Sequence, residues 1–97
     1  MMDLRFEWDE QKNKANQRKH RVSFEEARTA FLDENARLVP DPDPSSEEER
    51  FILLGLSIRL RVLVICHCYR EGEDVIRIIS ARKATAREKH EYMRWLS

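Results

Sequence analysis

Arg61 and Arg77 interrupt apolar runs where an ordinary core strand would carry aliphatic side chains, Arg61 just after Leu60 and Arg77 between Ile76 and Ile78. A charge so placed must reach solvent, a carboxylate or a bound anion, because burying it unpaired is costly. Arginine suits an anion well: its planar fork stays charged at any biological pH and donates two parallel hydrogen bonds, so two arginines could hold one scissile phosphate. The structural reading is a cross-strand ion pair with Glu49 or another carboxylate. The residues alone leave both readings open. Proton transfer would fall to an imidazole, which titrates near neutral pH; the candidates are His20, His67 and His90. His67 lies between Cys66 and Cys68 in an apolar strand, a setting that also suits a hydrogen-bonded core histidine. His90 reads as a surface residue of the last helix.

Metal chemistry is not expected. A zinc site from Cys66, His67 and Cys68 fails because on a strand the two cysteines face one way and the histidine the other. Asp41, Asp43, Glu47, Glu48 and Glu49 could gather a magnesium ion, but an acidic run in a proline-rich loop is ordinarily just solvated. Lys12, Asn16, Lys19 and His20 recur at helical spacing and form one polar, largely basic face, which either tracks a phosphate backbone or is simply solvated. Arg82, Lys83, Arg87 and Lys89 make a second basic cluster.

The elements that must position these groups follow from pattern. Leu4, Phe6 and Trp8 alternate with Arg5 and Glu7, predicting a short strand. Asp9 then N-caps a helix to about His20 in which Ala15 is the only apolar residue. Ser23 and Glu26 form a capping box for a second helix with Phe24, Ala27 and Phe31 on its buried face. Pro40 to Glu49, with three prolines, reads as a loop. The runs Phe51–Leu56, Leu60–Tyr69 and Val75–Ser80 predict an antiparallel meander. On its central strand Arg61, Leu63, Ile65, His67 and Tyr69 share one face and Leu60, Val62, Val64, Cys66 and Cys68 the other. The second face is the more apolar, so helices are expected to cover it and leave the Arg61–His67 face at least partly open. Thr85 and Glu88 form another capping box, opening a terminal helix with Tyr92, Trp95 and Leu96 as its apolar stripe.

The chain's 97 residues fit one domain, 1–97, with a modest core. Charge sums to zero but is unevenly spread: residues 1–33 hold seven basic and seven acidic side chains, 34–50 two and six, 51–97 nine and five. The basic excess therefore falls on the last half, where the arginines lie. With no signal peptide, no apolar stretch long enough for a bilayer and no cysteine framework, the chain reads as a cytoplasmic protein with no membrane partner.

Over FEWDEQKNKANQRKHRVSFEEA, EEERF and RIISARKATAREKHEY the sequence resembles the BrnT toxin family in order and spacing across nearly its full length. The matching positions are Trp8, Asp9, Lys12, Asn16, Lys19, His20, Phe24, Arg50, Arg77, Ser80, Arg82, Glu88 and Tyr92. Arg21 departs from the glycine that often follows the Lys-His pair, so a different turn is expected there. The resemblance implies a RelE-like α+β fold, a small antiparallel sheet with two N-terminal helices and a C-terminal helix. It implies an endoribonuclease needing no cofactor, in which a 2′-hydroxyl attacks its own phosphate. It also implies a cognate BrnA-like antitoxin through which alone the toxin meets DNA. On this reading Arg61 and Arg77 stabilise charge on phosphorus, His67 or Glu49 moves protons, and Lys12, Lys19, His20, Arg82 and Lys83 hold the RNA. The alternative is a non-catalytic docking module, a co-repressor whose arginines serve only in ion pairs.

Overall fold

The computed structural model describes residues 4–43, 48–72 and 74–96. Its elements are β1 (Arg5–Glu7), α1 (Glu10–His20), α2 (Phe24–Thr29), a 3-10 turn (Ala30–Leu32), β2 (Arg37–Pro40), β3 (Phe51–Leu56), β4 (Val62–Arg70), β5 (Val75–Lys83) and α3 (Ala86–Arg94). One five-stranded sheet results, in the order β1-β5-β4-β3-β2. The sheet is mixed, not wholly antiparallel: β2 to β5 form antiparallel pairs, while β1 runs parallel to β5. β1 and β5 are far apart in sequence, so their pairing is not bound by hairpin geometry. β2 was not visible in the sequence. It is four residues long, ends on a proline and lies at the sheet edge, where proline's missing N–H costs nothing.

The helices begin where their caps predict. Asp9 accepts from Gln11 and Lys12 N–H, Ser23 from Glu26 N–H, and Thr85 and Glu88 complete a reciprocal capping box. At Ser23 only half the expected box forms, because the Glu26 side chain is engaged elsewhere. Arg21 ends α1 in the left-handed conformation (φ 61°) that glycine adopts readily, and its N–H bonds Gln17 O. The chain therefore makes a left-handed helix end there without the glycine.

The polar α1 docks through asparagines. Asn13, fully buried, accepts from Phe24 N–H and donates to Glu10 and Glu25. β1 pairs β5 only as far as Arg77, and beyond that Asn16 fills the free edge: it donates to Ala81 O (2.7 Å) and Val22 O (2.8 Å) and accepts from Ala81 N–H (3.2 Å). An amide side chain does there what a strand backbone would do.

The core corrects the expected facing of the sheet. Val22, Phe24, Ala27 and Ala30 pack on Leu53, Leu63, Ile65, Ile76, Ile78 and Ala81. The first helices thus cover the Leu63–Ile65–His67 face. Both faces of β4 are apolar and both are covered in part, so apolar content could not distinguish them. Opposite the helices, β3 and β4 present Leu54, Val62 and Val64. There α3 grips Arg82, which lies across from Val64, and Arg37, across from Leu54, through Glu88 and Glu91. Of α3's expected stripe only Tyr92 is buried; Trp95 and Leu96 are largely exposed. A bulge in β5 between its pairings with Cys66 and His67 inserts Ile79, so Ile76, Ile78 and Ala81 share the core face despite their uneven spacing.

Candidate functional site

The part of the second sheet face that α3 does not reach collects cations. Arg77 lies across from Cys68, and Glu7 of β1 lies across from Arg77. A single Glu7 oxygen accepts from Arg77 Nη1 at 2.8 Å and lies 3.4 Å from Arg70 Nε. One carboxylate shared by two guanidiniums leaves net positive charge, and most of their N–H donors are not used by it. Arg50, at the entry to β3, has a buried Nε without a hydrogen-bond partner among the described residues. Its charge is felt at Cys66, on the same face.

Further along the same face is a cavity of about 330 Å³ lined by His20, Ile52, Val64, Cys66, Ser80, Ala81 and Arg82. α1 runs along the β5 edge, which lets half-buried His20, in its last turn, reach this face. Asp41 and Glu48 lie against the cysteines of this face, with Cys66 Sγ 3.6 Å from Asp41 and Cys68 Sγ 3.7 Å from Glu48. Burial, then the Asp41 charge, pushes the Cys66 thiol up to about 11, and burial likewise raises Cys68. Both remain thiols at neutral pH and are poor nucleophiles. Among the described residues no group of three His, Cys, Asp or Glu side chains could hold a metal ion; Glu47 lies outside the described residues.

The expected pairing of Arg61 with Arg77 in one anion centre is not what the fold builds. Arg61 precedes β4 and lies seven residues from Cys68, the partner of Arg77, which at strand rise is about 23 Å. Its guanidinium binds both Glu26 oxygens and Arg21 O. The ion-pair reading thus describes Arg61, with Glu26 as partner in place of Glu49. Burial works to raise Glu26, but Arg61 and Ser57 outweigh it and hold the carboxyl below its ordinary range. His67 is fully buried under Phe31, its rings 4.9 Å apart, with Nδ1 on Ile65 O and Nε2 on Tyr69 OH. Burial lowers its pKa, so it is a neutral core residue on the face opposite Arg77. Glu49 is exposed beside Arg50, and Lys12 and Lys19 are exposed on α1.

Arg82 reaches the cavity but is held by both Glu88 oxygens, at 2.7 and 3.0 Å. That contact holds the Glu88 carboxyl down to about 2. Lys83 is exposed at the strand end on the helix side of the sheet, opposite Leu63. Sequence reasoning about chemistry missed Arg70 and Glu7. Their signal was the strand alternation itself, which puts Arg70 on the Cys66–Cys68 face and Glu7 opposite Phe6.

An α+β domain with arginines gathered on one open sheet face has the donors with which a protein can hold an anion. A family profile described as ribonuclease toxin, BrnT, of type II toxin-antitoxin system matches residues 8–88, so the chain belongs to the BrnT toxin family. The chain is also similar in fold to the crystal structure of the Brucella abortus ribonuclease toxin, BrnT. The TM-score is 0.63 at 21% identity, with 86% of this chain and 99% of that one covered. No curated protein matches the sequence.

Proposed function

We propose that this chain is a cytoplasmic endoribonuclease toxin whose open sheet face binds the scissile phosphate. What supports the reading, beside the family, is the gathering of Arg50, Arg70 and Arg77 on the same sheet face as the cavity that His20 lines. The donors of three guanidiniums, set among the carboxylates Glu7, Asp41 and Glu48, suit a phosphate whose charge grows in the transition state. The reaction is transesterification: a base takes the 2′-hydroxyl proton, the 2′-oxygen bonds to phosphorus, and the 5′-oxygen leaves with a proton from an acid. A 2′,3′-cyclic phosphate and a 5′-hydroxyl result. His20, which lines the cavity, and Glu49, which precedes Arg50 in the chain, are the proton carriers of this proposal. No step uses a metal. A RelE-like ancestry and a BrnA-like antitoxin that neutralises the toxin and alone contacts DNA complete the reading.

The ion pairs of Arg61, Arg77 and Arg82 favour a second reading, a docking module whose arginines are structural. Incubating purified protein with total RNA in excess EDTA separates the two, with Arg77→Ala as control for contaminating nuclease. Cleavage that ends in cyclic phosphate and is lost in the control is expected. Its absence, together with unimpaired growth of cells expressing soluble chain alone, would leave the docking module. Magnesium-dependent cleavage would overturn the mechanism.

A further inference from the structure

At the end of the sheet remote from Arg77, three large aliphatic side chains stand in solvent: Leu32 is 75% exposed, Ile58 76% and Leu60 79%. Leu32 and Ile58 flank a shallow groove of about 290 Å³ completed by Thr29, Asp33, Leu56 and Ser57. Single exposed aliphatics are ordinary, but grouped ones mark contact surfaces. The backbone adds an independent sign. Leu60 has φ 62°, a left-handed conformation that glycine or asparagine adopts easily and leucine does not. The turn is nevertheless firmly held, by Ser57 N–H on Arg61 O, Leu60 N–H on Ser57 O and Ile58 N–H on Thr29 Oγ1. A strained leucine in a braced turn costs stability and contributes little burial in return.

The rim is cationic. Arg59 lies between the two aliphatics, Arg21 meets Arg61 through its carbonyl, and Lys83 ends the neighbouring strand; all three are exposed. The two carboxylates nearest the turn, Glu26 and Asp33, are already engaged. Glu26 is buried under Arg61 and Ser57, and Asp33 accepts from Leu56 N–H, Asn35 N–H and Tyr92 OH. RNA would satisfy the cations but leave three aliphatic side chains in water. A protein segment carrying apolar side chains flanked by carboxylates satisfies both.

We propose that the β3–β4 turn, with Leu32, docks an acidic, apolar-faced segment of the antitoxin, about 23 Å along the sheet from the arginine site. This rests on the reading that the chain has an antitoxin partner. The test titrates the antitoxin encoded beside this chain into wild type, Leu60→Gly, Ile58→Ser and Arg59→Glu, with melting temperature and RNA cleavage measured on each. Leu60→Gly relieves the strained φ, so its melting temperature should hold or rise while antitoxin affinity falls at least tenfold. Ile58→Ser and Arg59→Glu should fold, weaken binding similarly, and cleave RNA at the wild-type rate. Full affinity in folded Leu60→Gly and Ile58→Ser would overturn the docking site and leave the partner standing. Failure of wild type to bind the antitoxin would overturn the partner, and the site with it. Lost RNA cleavage with antitoxin affinity intact would assign this end to RNA and overturn the proposal.

Discussion

Arg61 and Arg77 look alike in the sequence, and the structure gives them different surroundings. Arg77 is about a third exposed, lies on an open face and shares Glu7 with Arg70. Arg77→Ala should therefore leave the fold intact and lower single-turnover RNA cleavage about 30- to 1000-fold, roughly 2 to 4 kcal/mol of transition-state contact. Arg77→Lys should rescue poorly, since a point charge cannot reproduce the fork. A folded Arg77→Lys variant cleaving at the wild-type rate would remove the residue from the site. Arg61 instead neutralises Glu26, whose side chain is only 4% exposed. Arg61→Ala leaves that carboxylate buried and unpaired, at a cost of about 2 kcal/mol. This is below the usual range for breaking a buried pair because Arg61 itself is partly solvated. For a domain of this size the melting temperature should drop by roughly 10 °C. Cleavage per folded molecule should be unchanged, and a stable but inactive variant would contradict the assignment.

Among the elements, α3 depends most visibly on charge. Its capping box, the Arg82–Glu88 pair and the Tyr92–Asp33 hydrogen bond tie it to the sheet, whereas most of its apolar side chains are exposed. Arg82 holds Glu88 from its ordinary 4.5 down to about 2. A folded-state value below the unfolded one means the carboxylate contributes stability above about pH 4.5 and loses it as pH falls toward about 2. Glu88→Gln should thus melt below wild type at pH 7, and the gap should close between pH 4.5 and 2. A gap constant across that window would show that Glu88 acts through its shape alone. α1 works differently: with no apolar face, it is fixed by Asn13 and Asn16 bonding backbone groups that would otherwise be buried without partners.

The whole molecule carries no net charge, so little long-range field draws RNA toward it. Its cations are sorted in space instead. Arg50, Arg70 and Arg77 gather on one face, and Arg21, Arg59 and Lys83 toward the other end of the sheet. If three or four phosphates meet the first group, the logarithm of RNA affinity should fall with the logarithm of salt concentration at a slope of about −2 to −3. Arg70→Ala should make the slope shallower by about one without abolishing binding. A slope near zero in wild type, measured over 50 to 200 mM salt on a noncleavable substrate, would mean that the face does not bind a phosphate backbone.

Local chemistry was legible in the sequence because it depends on neighbours in the chain. Asp9, Ser23 and Thr85 marked the helix starts, and the three apolar runs became β3, β4 and β5 within a few residues. The family, too, was legible from motifs whose spacing survives without knowledge of the fold. What strand alternation could not decide was which face of β4 lay beneath α1 and α2, since both are apolar and His67 satisfies its nitrogens inside the core. Nor could it locate β2, whose pairing depends on β3 and not on its own four residues. The surroundings of the two arginines were settled by contacts far apart in sequence. Glu26 met Arg61 across 35 residues and Glu7 met Arg77 across 70, so the first arginine became structural and the second was left on an open face. A side chain's type limits what it can do, but whether an arginine finds a carboxylate or keeps its donors for an anion depends on which distant residue the fold places beside it.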